Sequence, residues 1–221
     1  MGLPFSDPLA DGPVIQASYT RALARRVGLT GIFEMLRRVT PDLPAPIVTM
    51  VSYSIVYRRG LDAYVAEARQ AGVAGLIVPD LPAEEASDLA SACAREELSL
   101  IQLITPTTPR DRALRIAERT TGFIYYVSVT GITGERTELP PAVVDNVAWL
   151  RGQTPLPICI GFGISRPEHV RLLAPVADGV IVGSAIVSRV AEAGLRPREE
   201  ILREIGQYAE SLIAALDIPR Q

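Results

Sequence analysis

Between residues 46 and 182 the chain repeats one pattern, a short and continuously apolar run followed by a longer stretch with apolar positions at helical spacing. The apolar runs lie at 46–51, 75–78, 98–103, 123–127, 157–161 and 179–182. They are rich in Val, Ile and Tyr and do not alternate with polar residues. That pattern predicts parallel strands covered on both faces. Helices are expected over 61–70, 83–96, 109–118, 140–150 and 166–173, another after Gly183-Ser184, and a last one over 197–216. Residues 84–85 and Pro109 with Asp111 supply the acids and proline that first turns favour. Ahead of the first strand, 14–27 and 31–39 read as helices and 1–12 as a loop. Nothing of low complexity divides the chain, so a single domain over 1–221 is expected. Six βα units in series suit either a doubly wound sheet or a (β/α)8 barrel that is two strands short.

Composition narrows the chemistry. All 22 basic residues are Arg, and there is no Lys. A lysine Schiff base, and with it pyridoxal phosphate attached to this chain, is excluded, as is a Walker A lysine. One histidine, His169, rules out a His-rich metal cage and argues against a Ser-His-Asp triad. A formal net charge of −3 argues against a nucleic-acid face. No apolar run is long enough to span a membrane. Two isolated cysteines, Cys93 and Cys159, fit a reducing cytosol without a disulfide framework. Cys159 is expected in the core, and His169 on the surface of its helix.

Carboxylates, hydroxyls, tyrosines and backbone amides are left. Gly161–Phe162–Gly163 and Gly183–Ser184 each follow a strand and lead into a helix. Such turns let backbone N–H groups approach an anion, and in barrels the loops after the last two strands often hold phosphate; tight turning alone also explains them. The polar, Gly-containing stretch at 129–135 reads as a lid over a ligand or as a surface loop. Asp7, Asp11 and Asp80 sit in Pro-rich loops at strand ends, where turn residues and catalytic residues both occur.

The stretch PFSDPLADGPVIQ at 4–16 resembles the loop after the second strand of the tryptophan synthase alpha subunit. VPDLPAEE at 78–85, GFIYYVSVTGITGE at 122–135, GFGIS at 161–165 and VGSAIV at 182–187 continue the resemblance in the same order. The chain is thereby identified as a member of that family. The resemblance implies a (β/α)8 TIM barrel without metal or cofactor of its own. It implies cleavage of indole-3-glycerol phosphate to indole and glyceraldehyde 3-phosphate in tryptophan biosynthesis. It further implies a cytoplasmic α2β2 complex, whose beta subunit carries pyridoxal phosphate and receives indole through a tunnel. Carried over by motif, Asp11 is catalytic and meets the indole N–H. Thr133 bonds Asp11 when the lid closes, and Tyr125 lines the indole pocket. Gly134, Gly163, Gly183 and Ser184 hold the phosphate. Pro4, Asp7 and the helix after Gly12 face the beta subunit.

The family's second strand reads like ELG ahead of this block. Gly2 matches the Gly and Met1 stands where Leu or Ile is usual. The glutamate, which is the family's second catalytic group, would precede Met1. The expectation is therefore an N-terminally truncated, incomplete barrel, lacking the first βα unit and the second strand, with little or no activity. An inactive module binding a phosphate ligand or the beta subunit is the alternative. Strands 46–51 and 179–182 are expected to leave open edges. Ser52 and Ser54 also stand where the family usually has Tyr and Asn.

Overall fold

The computed structural model describes residues 1–8, 11–128, 141–161 and 163–216. The chain forms two compact units, residues 1–102 with 115–122, and residues 103–114 with 123 onward.

The first unit opens with α1 (Pro13–Ala24) and α2 (Leu29–Val39). There follow β1 (Ile47–Met50), α3 (Tyr53–Arg59), α4 (Leu61–Gln70), β2 (Val73–Ile77), α5 (Ser87–Arg95) and β3 (Ser99–Ile101). The three strands are parallel in the order β1-β2-β3, with Met50 opposite Ile77 and Ile77 opposite Ile101. A strand buried on both sides needs apolar residues at consecutive positions. Val73, Leu76, Ile77 and Val78 are accordingly all buried. Phe33 and Leu36 of α2 and Tyr64, Val65 and Ala68 of α4 pack into the same core, with the Phe33 and Tyr64 rings 5.6 Å apart. Gly72 makes the turn into β2 at φ +77°, and a Cβ there would stand 2.2 Å from Thr40 Oγ1. That hydroxyl is committed to the carbonyls of Leu36 and Ala71, tying the end of α2 to the turn.

Residues 1–3 were expected to be loop, and β1 to be an open edge. Instead Gly2 pairs in parallel with Met50. Met50 N donates to Met1 O and Leu3 N to Met50 O, both at 2.8 Å. Leu3 is only 2% exposed. Three residues of extended chain thus satisfy the outer side of β1, because its unpaired amides and carbonyls accept any strand that fits.

The second unit contains β4 (Leu103–Ile104), β5 (Ile124–Val127), α7 (Pro141–Arg151), β6 (Ile158–Gly161), α8 (Pro167–Leu173), β7 (Gly179–Ile181), α9 (Ser184–Val190) and α10 (Arg198–Ile213). A further helix, α6 (Arg110–Glu118), is shared in sequence between the units. The strands are parallel in the order β4-β5-β6-β7. The predicted run at 98–103 is two strands, β3 and β4, separated at the buried Gln102. The helix expected over 83–96 is broken into a 3-10 turn (Ala83–Glu85) and α5.

Two expectations about single residues change. His169 is buried at 4% exposure, and Ser165 N donates to its Nδ1 at 3.3 Å. The ring closes the turn from β6 into α8 where a surface position was expected. Cys159 is half-buried rather than core. Among the described residues no helix is long and apolar enough to cross a membrane, and no cluster of ligating side chains could hold a metal ion.

Candidate active site

Residues 1–8 run past β1 and bring Leu3, Phe5, Asp7 and Pro8 to the end of that strand. Met50, Val51 and Ser52 leave the strand there, and Pro79 and Asp80 leave β2 beside them. Together with Asp11 and Tyr19 these residues enclose a cavity of about 240 Å³. It lies at the carboxyl ends of parallel strands, where α/β folds bind their ligands.

Its walls are mostly apolar, and the polar side chains in it are held in distinct ways. Asp11 precedes α1. Pro13 begins that helix, and Gly12 O accepts from Ile15 N and Gln16 N at 3.0 Å. Gln16 Nε2 donates to Asp11 O at 2.7 Å, which fixes the backbone of the acid. The Asp11 carboxylate is half-buried, and the loss of water raises its pKa above the ordinary value. Tyr19 lies further along α1. Burial, and then the charge of Asp11, push its phenol up to about 12.

Each carboxylate oxygen of Asp80 accepts one hydrogen bond, Oδ2 from Ser52 Oγ at 2.6 Å and Oδ1 from Tyr53 N at 2.8 Å. The second bond satisfies a first-turn amide of α3, whose own N-cap residue Ser52 makes no capping bond. Ser54 Oγ lies 3.1 Å from Ser52 Oγ and continues the chain of hydroxyls.

The other predicted site residues belong to the second unit. Tyr125 is on β5 with its ring across Gly161 of β6, so close that a Cβ at Gly161 would meet ring carbon at 2.5 Å. Gly163 turns the chain after β6 at φ +74°, Gly183 precedes α9, and Ser184 is the first residue of α9. Among the described residues no atom lies within 4 Å of a Cβ built on Gly183. Thr133 and Gly134, with the expected lid, lie outside the described residues.

The structure therefore gathers Asp7, Asp11 and Asp80 in one cavity and adds Tyr19 and Ser52. Tyr19 was missed because a tyrosine in a helix reads as packing. Asp11 precedes α1, so no helical spacing relates the two residues, and no local signal marked Tyr19.

The family model described as tryptophan synthase alpha chain matches residues 1–215. A tryptophan synthase alpha chain from Rhodopirellula baltica is 58% identical over 98% of this chain and 82% of its own length. The chain belongs to the tryptophan synthase alpha family. A second member, from Gloeobacter violaceus, is 45% identical over 96% of this chain and 76% of its own. Among solved structures, an alpha subunit from Legionella pneumophila superposes with a TM-score of 0.86 at 33% identity, over 98% of this chain and 80% of its own. A chain from a study of the tryptophan synthase a2b2 complex of Pyrococcus furiosus superposes with a TM-score of 0.87 at 37% identity, over 96% and 85%. The likeness extends through both units, and the expected TIM-barrel class holds. The chain spans about four-fifths of the length of these family members.

Proposed function

We infer that the protein is the alpha component of a tryptophan synthase and cleaves indole-3-glycerol phosphate to indole and glyceraldehyde 3-phosphate. The observation that carries this reading is the half-buried Asp11 in an apolar-walled cavity at the strand ends. In the reaction the bond between indole C3 and the adjacent side-chain carbon breaks. C3 gains a proton, and the hydroxyl on that carbon loses one as it becomes the aldehyde. Positive charge develops on the ring while C3 is protonated. A carboxylate in a poorly solvated site, accepting the indole N–H, stabilises that charge more than it would in water. Backbone amides at Gly163, Gly183 and Ser184 are the proposed phosphate donors, with Thr133 and Gly134 joining them by resemblance. Tyr125 is the proposed aromatic wall.

No group here needs a cofactor. The resemblance assigns pyridoxal phosphate to a beta partner, and an a2b2 assembly in the cytoplasm is proposed on the likeness to the Pyrococcus furiosus complex. A polypeptide of these 221 residues alone contains Asp11 but not the glutamate that the resemblance places before Met1. Loss of one general acid–base group lowers turnover by roughly 10²–10⁴-fold, so such a polypeptide should form indole very slowly.

The test is indole release, measured with this chain and with a version extended upstream to the length of its relatives. In the extended protein, Asp11→Asn should lower kcat by about 10²-fold or more while changing binding little. A loss confined to KM would make Asp11 a binding residue only. Gly183→Asp should abolish phosphate-dependent binding, since it sets a like charge against the anion. Unchanged affinity in that variant would remove Gly183 from the phosphate site.

A further inference from the structure

One polar side chain in the cavity has no task in the reaction as described. The Tyr19 ring forms part of the cavity wall, and a Cβ on Gly2 would stand 3.0 Å from its hydroxyl oxygen. Among the described residues that hydroxyl has no hydrogen-bond partner. The other neutral hydroxyl lining the cavity, Ser52 Oγ, already donates to Asp80. Asp7 accepts from Ser6 Oγ at 2.7 Å. A carboxylate only accepts hydrogen bonds, whereas a phenol can donate one. The cavity therefore offers a ligand an acceptor at Asp11 and an uncommitted donor at Tyr19. The half-buried Tyr19 hydroxyl can turn its proton toward a ligand that enters the cavity.

We propose that Tyr19 is a specificity-determining residue, whose hydroxyl donates a hydrogen bond to the side-chain hydroxyl oxygen on the carbon next to the indole ring while Asp11 accepts the ring N–H. The assignment rests on the function proposed above and goes beyond it by naming the group that recognises the reacting carbon. With its phenol pushed up to about 12, Tyr19 remains a donor across neutral pH. The pair selects molecules that carry an N–H donor and a hydroxyl oxygen together, and discriminates against 3-alkylindole phosphates without that hydroxyl.

The experiment compares two probes on the 221-residue chain. Indole-3-glycerol phosphate carries the hydroxyl, and indole-3-propanol phosphate lacks it. Binding is read by rapid-mixing displacement before any bond breaks. Tyr19→Phe removes one oxygen and keeps the ring. It should weaken the first probe by about tenfold, the scale of one lost hydrogen bond, and leave the second unchanged. The ratio of the two affinities is the readout, so a general loosening of the cavity does not imitate the effect. Equal weakening of both probes, or of neither, overturns the assignment and leaves Tyr19 as wall. Asp11→Ala should weaken both probes, because both carry the N–H. If Asp11→Ala weakens neither, Asp11 does not hold the ring N–H in the bound state and the paired recognition proposed with Tyr19 fails. If the unaltered chain binds neither probe, the proposed function fails first and the role of Tyr19 falls with it.

Discussion

In the first unit the outer side of β1 is occupied, because residues 1–3 lie along it and Leu3 is buried beneath. In the second unit β7 ends its sheet. Among the described residues no strand pairs with its far side, and all three of its residues are half-buried. The two sheets are otherwise alike, parallel and built from apolar runs. Strand composition therefore does not decide how well an edge is protected. What decides it is whether a few residues elsewhere in the chain can reach that edge with free amides and carbonyls. The units differ equally in their chemistry. The first presents side chains to its cavity, namely Asp7, Asp11, Tyr19, Ser52 and Asp80. The second presents turns at Gly163 and Gly183 and the first residue of α9.

The strongest challenge to this comparison is a methyl group in each unit. Gly72→Ala combines a positive φ with a collision against Thr40, and should destabilise the first unit by about 2–4 kcal/mol. Gly161→Ala meets only a ring that can tilt, and should cost the second unit about 1–3 kcal/mol. Urea unfolding followed separately in each unit measures both. A larger cost at Gly161 would mean that the Tyr125 ring cannot move.

Amide exchange sharpens the contrast between edges. Protection at Val180 and Ile181 of β7 should fall about a hundredfold below that at Leu76 and Ile77 of β2, since edge strands open locally at lower free energy. Met50, paired on both sides, should exchange as slowly as β2. Fast exchange at Met50 would show that residues 1–3 do not hold the edge in solution.

The smallest expected effect is a pH dependence confined to the second unit. Burial first, and the charge of Arg166 second, lower the His169 pKa below its ordinary value. The unfolded chain then binds the proton more readily, so stability is lost as pH falls below about 6.5, the unfolded value. Melting of the second unit should drop between pH 7.5 and 5.5, and His169→Gln should flatten that slope. A slope unchanged in the variant would assign it to other groups.

Much of this architecture was legible in the residues. The helix at 61–70 and the strands around 46–51, 123–127, 157–161 and 179–182 follow from local periodicity, which needs no knowledge of neighbours. Where one end of an element is set by a partner, the reading failed. The seven residues of α3 are too few to show a helical period, and that helix is capped by Asp80 from another loop. The run at 98–103 divides at Gln102 because its two halves pair with different sheets. Asp11 stood out by motif. Tyr19 did not, because nothing local shows that α1 brings it against Gly2 and Asp11.

By itself, then, the sequence determined the kind of chain this is. Its repeating apolar runs dictate parallel strands and covering helices. Its lack of lysine excludes a Schiff base on this chain, and its motifs carry the family resemblance. Only the tertiary structure decided that residues 1–3 close one edge, that His169 is buried, and that Tyr19 faces the cavity beside Asp11. Those three outcomes depend on contacts between residues far apart in sequence, and local propensity carries no information about such contacts until the chain has folded.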